Sequence, residues 1–301
     1  MSKRKRNLFG LNWIGSKGLF ADQIVDVLPA ADTFVDLFCG GCAISHAALV
    51  SGKYKHVIAN DIKDMGAFFK QAIEGKVENL LEPISREEFF ARRKTDPKVM
   101  SCWSFSGNIR SYVWSIDESA FNLELFKAVV DPDWVKRKEH LHAAFVELMK
   151  IYEAGKLDRG AILYTQKVKT LNTLKRVADL AQWSHLAPML EPSRKDYRDV
   201  VIPQGACVYA DIPYINCQDY ETDFSHDEFY KWWDAQPFPV FVSEYSAPEG
   251  FAEIWQTVRR VTSGNSGYKQ AVEKIFVQER FAERYRRQDE QAQLELLEAA
   301  S

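Results

Sequence analysis

Apolar runs of strand length alternate along the first quarter of the chain with stretches whose apolar residues recur at helical intervals. Leu19 to Leu28 has helical spacing, Thr33 to Phe38 is a short buried-type strand, residues 43 to 51 form an apolar helix, His56 to Asn60 is a second strand, and Asp64 to Ile73 a further helix. That order predicts a parallel sheet whose strands are joined by crossover helices. From about 76 to 192 the regular pattern gives way to charged, aromatic and helix-like segments with few clear strands, which predicts an inserted module. Strand patterns return at about 206 to 210 and 239 to 243. Val258 to Ser263 and Ala271 to Val277 flank Gly264-Asn265-Ser266-Gly267 and read as two antiparallel strands. Ala282 to Ser301 has the pattern of a charged amphipathic helix. The expected division is therefore an α/β domain from 1–75 and 193–280, an insertion over 76–192, and a charged terminal helix over 281–301.

Bulk composition adds bounds. The 301 residues, 46% hydrophobic and 27% charged, suffice for one large core or a core with a second module. No apolar stretch approaches the roughly 20 residues that span a bilayer, and Met1 to Arg6 is basic with no apolar signal segment behind it. A cytoplasmic protein without membrane contact is expected. Five cysteines (39, 42, 102, 207 and 217), odd in number and mostly in apolar surroundings, suit free thiols in a reducing compartment. A net charge of −3 gives no global pull on polyanions, so a nucleic-acid surface needs local clusters. Lys3 to Arg6, Arg92-Arg93-Lys94, Lys136-Arg137-Lys138, the Lys167/Lys169/Lys175/Arg176 stretch and Arg259-Arg260 are the candidates. Each alone reads first as a solvated helix face. The six histidines show no ligand spacing, and no metal is expected.

The chemistry concentrates at two strand ends. In Cys207-Val-Tyr-Ala-Asp-Ile-Pro-Tyr214 an apolar run ends in an acid, a proline and an aromatic. Asp211 can accept a hydrogen bond from an exocyclic NH2, the Ile212 carbonyl can accept a second, and Tyr214 can lie against the ring that carries the amine. The plain alternative is a strand-ending turn. In Phe34-Val-Asp-Leu-Phe-Cys-Gly-Gly-Cys-Ala43 a strand runs into a glycine turn and a helix, where backbone can approach a ligand closely. Asp61, at the end of the next strand, is placed for ribose hydroxyls. Only Gly40 and Gly41 are present, without a third glycine, which favours a nucleoside over a pyrophosphate-bearing cofactor. Cys39-x-x-Cys42 has no second Cys/His pair at zinc-ligand spacing.

Together these residues resemble the adenine-specific (N6) DNA methyltransferases of the class containing GATC-methylating and phage-borne enzymes. Trp13-Ile-Gly-Ser-Lys17 is similar to the family's W-x-G-G-K loop, Phe38-Cys-Gly-Gly-Cys42 to its F-x-G-x-G turn, and Lys195-Asp196-Tyr197 to the acid-aromatic pair on the cofactor's adenine. Asp211-Ile-Pro-Tyr214 resembles the D-P-P-Y catalytic loop, and Ser243-Glu-Tyr245 and the Ser263 to Lys269 hairpin resemble later elements. The resemblance implies an α/β fold: a Rossmann-like methyltransferase sheet with helices on both faces, plus an inserted, mostly helical target-recognition module. It implies S-adenosyl-L-methionine as cofactor and DNA as partner, in a monomer or weak dimer from a bacterial cell or phage-infected host.

The catalytic residues so implied are Asp211, Ile212, Pro213 and Tyr214. Around the cofactor the resemblance places Trp13, Gly15, Ser16 and Lys17 from the first loop, and Asp36, Phe38, Gly40, Asp61 and Ile62 from the first two strand ends. Asp196, Tyr197 and Asp211 complete that set. Asn108, Arg110 and Tyr112, within Ser104-Phe-Ser-Gly-Asn-Ile-Arg-Ser-Tyr112, and Lys269 are the expected nucleic-acid contacts; a surface loop that packs Phe105 and Tyr112 is the alternative for the first three. Cys42 stands where the family has its second turn glycine, and Ile212 replaces the first proline of the catalytic loop. Those departures leave open a non-catalytic nucleic-acid-binding relative, and the loop type also suits a methyltransferase acting on RNA or a protein amide.

Overall fold

The computed structural model describes residues 9–156, 169–213, 224–262 and 268–285, with the side chains of 169, 259–262 and 268–271 left aside. Seven strands form one sheet: β1 (Thr33–Asp36), β2 (His56–Asn60), β5 (Leu190–Ser193), β6 (Cys207–Asp211), β7 (Val240–Ser243), β8 (Phe251–Thr262) and β9 (Tyr268–Gln278). Their order across the sheet is β5-β2-β1-β6-β7-β9-β8. The first five are parallel, and β9 enters antiparallel between β7 and β8. The central strands β1, β6 and β7 are almost entirely buried, as their unbroken apolar runs require of strands covered on both faces.

Chain order reverses at β1, between β2 and β6, so the carboxyl ends of β1, β2 and β6 open onto one crevice. Helices α1 (Ala21–Val27), α2 (Ala43–Ser51) and α9 (His226–Ala235) belong to the same unit. Buried on seven of its nine residues, α2 justifies its all-round apolar sequence. The last carbonyls of the α1 segment, those of Val25, Asp26 and Leu28, accept from the Lys53 ammonium at 2.8, 2.9 and 2.6 Å.

Two compact units make up the chain. The first comprises Met1–Gly10, Lys17–Ile62 and Pro188–Ser301 and holds the seven-stranded sheet; the second comprises Leu11–Ser16 and Lys63–Ala187. The second is mostly helical, with α3 (Met65–Ile73), α4 (Arg86–Arg92), α5 (Pro97–Cys102), α6 (Ser119–Val130), α7 (Trp134–Glu153) and α8 (Lys169–Asp179). Local chemistry starts several of these helices. Ser85 and Glu88 form a capping box on α4, Asp96 caps α5 with Pro97 at its first position, and Asp133 caps α7. Trp103, Tyr112, Trp114 and Phe126 supply this unit's aromatic core.

Ser104–Phe105 (β3) and Asn108–Tyr112 (β4) pair as a two-stranded hairpin. Its turn residues Ser106 and Gly107 both have positive φ, 54° and 78°, as a tight right-twisted hairpin needs. A Cβ on Gly107 would lie 2.5 Å from the Trp13 backbone, so glycine lets the hairpin tip meet the Trp13-Ile14 segment of the same unit.

The strands expected at the start of the chain are present with nearly their expected limits. Two differences have physical causes. The strand Leu190–Ser193 was concealed by Pro192, which strands tolerate at a sheet edge, where β5 lies. Strand β8 begins at Phe251 and not at Val258, because an irregularity between Glu253 and Trp255 breaks the two-residue alternation that sequence reading depends on. The expected loop at Gly264–Gly267, the cations Lys3 to Arg6 and Lys167, Cys217, Tyr214 and the tail beyond 285 lie outside the described residues.

Candidate active site

Asp211 ends β6, in register with Ser243 of β7. Its Oδ1 lies 3.0 Å from the Lys17 ammonium, and Lys17 lies 3.7 Å from Glu273 Oε2 on β9. Lys17 is 5% exposed. Burial alone would lower its pKa, but the carboxylates of Asp211 and Glu273 hold it above the ordinary lysine value, so it is a cation at neutral pH. Two residues earlier on β6, the Tyr209 hydroxyl shares a hydrogen bond of 2.6 Å with the Ser243 hydroxyl and so fixes β6 to β7 beside the acid.

Ile212 is 1% exposed, so its side chain anchors the loop in the core. Pro213 follows, and its carbonyl meets His226 Nε2 at 2.6 Å, with the ring nitrogen donating. Because α9 starts at His226 behind a Ser225 cap, a helix terminus holds the loop that in relatives is stiffened by a second proline.

The glycine turn after β1 is built as its sequence demands. Gly40 has φ of 44°, and its N–H donates to Asp61 Oδ2 at 3.0 Å, which ties the turn to the end of β2. Cys42 adopts φ 56°, ψ 33°, the left-handed conformation a glycine takes freely, so α2 still starts at Ala43. Its N–H donates to the Cys39 carbonyl at 2.6 Å. A Cβ on Gly10 would come within 2.5 Å of the Gly41 carbonyl oxygen; glycine there lets the Phe9-Gly10 segment close over the turn. Cys39, Cys42, Cys102 and Cys207 are free and buried.

Asp36 sits beneath that turn, 1% exposed. Its Oδ2 accepts from Ser45 Oγ at 2.6 Å, while its Oδ1 has no hydrogen-bond partner among the described residues. Burial, together with the Asp211 and Asp61 charges and against the Ser45 bond, raises its pKa to about 7. The sign follows from linkage: the stabilisation of the protonated form is complete below the unfolded value of 3.8 and is lost as pH rises through the folded value near 7. Asp36→Asn is therefore expected to raise the melting temperature of the cofactor-free protein at pH 8, where up to about 4 kcal/mol is recovered, and to leave it unchanged near pH 4. Thermal melts of both proteins across that range measure it; a difference independent of pH would contradict the assignment.

Four residues of this neighbourhood were not singled out in the sequence: Asn60, Ser45, Glu273 and, as a loop anchor, His226. Asn60 donates to the Leu37 and Lys195 carbonyls and accepts from Lys195 N–H, all at 3.0 Å, joining the loops that leave β1, β2 and β5. A polar residue ending an apolar strand was the available signal. Phe38 and Tyr197 lie 5.4 Å apart in an aromatic cluster with Phe224 and Phe229. Asp196 caps the turn that carries Tyr197 and pairs with Arg198. Ile62 is exposed at the crevice rim.

Trp13, Gly15 and Ser16 belong to the second unit, Lys17 to the first. Asn108 and Arg110 lie on hairpin strand β4, Arg110 exposed. Tyr112 is buried, its hydroxyl donating to the Ile84 carbonyl at 2.6 Å, so its ring serves the core. Arg92 is tied to Glu82 and Asp96, and Arg93 to the Ile109 carbonyl. The side chain of Lys269 lies outside the described residues.

A seven-stranded mixed sheet flanked by helices, with two acids and a glycine turn at its reversal point, defines an α/β fold of the methyltransferase kind. The chain belongs to the D12 class N6 adenine-specific DNA methyltransferases, whose family profile matches residues 13–238. It is thus an S-adenosylmethionine-dependent DNA methyltransferase with adenine N6 as target. Comparison with curated proteins gives no significant match. Among the described residues no helix is long and apolar enough to cross a membrane.

The residues fit the family's cofactor. S-adenosylmethionine carries a sulfonium and an ammonium, and the buried Asp36 carboxyl, with one unpartnered oxygen and a pKa raised to about 7, is a group whose ionised form such cations would favour.

Proposed function

We propose that the protein methylates adenine N6 by direct in-line transfer, on a base flipped out of the duplex or already single-stranded. The observation that carries this reading is Asp211 at the β6 end, a carboxylate held on one oxygen by a buried ammonium, with the Ile212 main chain anchored beside it. The exocyclic amine is a poor nucleophile because its lone pair is delocalised into the purine ring. Two acceptors, the Asp211 carboxylate and the Ile212 carbonyl, orient its N–H bonds and favour a pyramidal nitrogen with its lone pair aimed at the methyl. When bound, the cofactor supplies an activated methyl on sulfur. Asp61 would hold the ribose, Phe38 and Tyr197 would flank the nucleoside ring, and Asp36 would balance positive charge. Positioning of this kind is worth up to roughly 7–11 kcal/mol.

Extrusion of a stacked base costs a few kcal/mol, and stacking on Tyr214 would return about 1–3 kcal/mol. We assign target recognition to the mostly helical unit between β2 and β5, with Asn108 and Arg110 on its hairpin and Lys269 on β9 as contacts to DNA. Sequencing for N6-methyladenine in DNA from cells that express the full chain tests the reading. Methyladenine in a restricted sequence context is expected, absent with Asp211→Ala. Unmethylated DNA, from a soluble protein that binds the cofactor, would refute it.

A further inference from the structure

We propose that Glu273 is a positioning residue for methyl transfer: it shares the charge of Lys17 with Asp211, so that Asp211 keeps more of its own negative charge towards the substrate amine. This rests on Asp211 as the amine's acceptor. Lys17 and Asp211 alone would form a neutral pair. As the methyl arrives, adenine N6 gains positive charge, and a neutral pair stabilises that charge little. With Glu273 also within 3.7 Å of the ammonium, Lys17 is shared by two carboxylates and neutralises Asp211 less than it would alone. The ammonium is too deeply buried for water to take over Glu273's role.

Sheet geometry explains the placement. Asp211 is in register with Ser243, and Ser243 with Ile275. Glu273, two residues from Ile275 on β9, shares its face and lies beyond Ser243, because β9 runs antiparallel. Buried ion clusters are seldom more stable than apolar packing of the same volume. A carboxylate in line with the buried Ile275 and Val277 is therefore a costly choice for the fold, and its position against Lys17 gives it a use in the reaction.

Steady-state kinetics of the full-length Glu273→Gln and Glu273→Asp proteins test this, alongside calorimetric affinity for S-adenosylmethionine. Glutamine keeps the shape and loses the charge; aspartate keeps the charge and loses reach. The expected result is a fall in kcat of about 10- to 100-fold for Gln, with KM for DNA and cofactor affinity within about twofold, and an Asp variant several-fold more active than Gln. Wild-type kcat in the Gln variant overturns the proposal, as does an Asp variant no better than Gln, the result expected of a purely structural role. If the Gln protein fails to fold, Glu273→Asn against Glu273→Asp repeats the comparison at equal length, with the same two readings. Failure here is distinct from failure of the site assignment: an active Asp211→Ala would remove the latter, whereas inactive Asp211→Ala with fully active Glu273→Gln removes only the role of Glu273.

Discussion

Asp211→Ala is expected to lower methyl transfer by roughly 10³-fold or more, because it removes both the charged acceptor and the alignment of the amine. The fold should survive. Asp211 is partly exposed at the end of its strand, and the Lys17 ammonium that it abandons still has Glu273 within 3.7 Å. Affinity for S-adenosylmethionine should fall far less than turnover, since Asp36, Asp61 and the Gly40 turn are untouched. Asp211→Asn is the finer probe. It keeps an acceptor oxygen but places an amide NH2 beside Lys17, and a loss of about 10²-fold is expected. Tritiated-methyl transfer to adenine-containing DNA, with calorimetry for the cofactor, separates the two quantities. Turnover by purified Asp211→Ala at the wild-type rate would end the assignment of this carboxylate.

Much of the sheet can be read from the chain because buried parallel strands are written as continuous apolar runs. Phe34-Val35, Val57 to Ala59, Val208 to Ala210 and Val240 to Val242 are such runs, and each is a strand. The edge strand Leu190–Ser193 is short, contains Pro192 and faces one neighbour only, so neither periodicity nor composition marks it. Local motifs fared likewise. Asp211, Asp61 and Gly40 each stand where a strand ends, and the structure brings them to one edge of the sheet. Glu273 could not be read in this way: its partner Lys17 lies at the other end of the chain, and only the antiparallel entry of β9 beside β7 brings them together.

The two departures from the family pattern illustrate the same limit. Cys42 in place of glycine is expected to tighten the cofactor pocket or to shift the helix start; the backbone accepts the left-handed conformation, at a cost of about 1–2 kcal/mol, and α2 begins at Ala43. Ile212 in place of proline forecasts a looser loop. Its buried side chain and the His226 bond to the next carbonyl supply the restraint by tertiary contact. A sequence motif records the restraint used by relatives and is silent about a substitute built from a helix that starts thirteen residues after Pro213.

Lys17→Met is expected to destabilise the protein by about 3–5 kcal/mol near neutral pH, the usual cost of removing one partner from a buried ion cluster. Asp211 is 20% exposed at its side chain, so solvent screens part of the loss and the lower end of that range is the better expectation. Because the pKa of Lys17 is raised, the stabilisation it gives is complete below the ordinary lysine value of 10.5 and is lost only as pH rises through the higher folded value; neutral buffers sample it in full. Urea denaturation at pH 8 measures the deficit, and a value under about 1 kcal/mol would mean that the cluster is solvated. Glu273→Gln, by contrast, leaves Lys17 paired with Asp211 and should cost far less stability while lowering kcat. The ammonium thus secures the fold of the site, and the second carboxylate sets the charge with which the first one works.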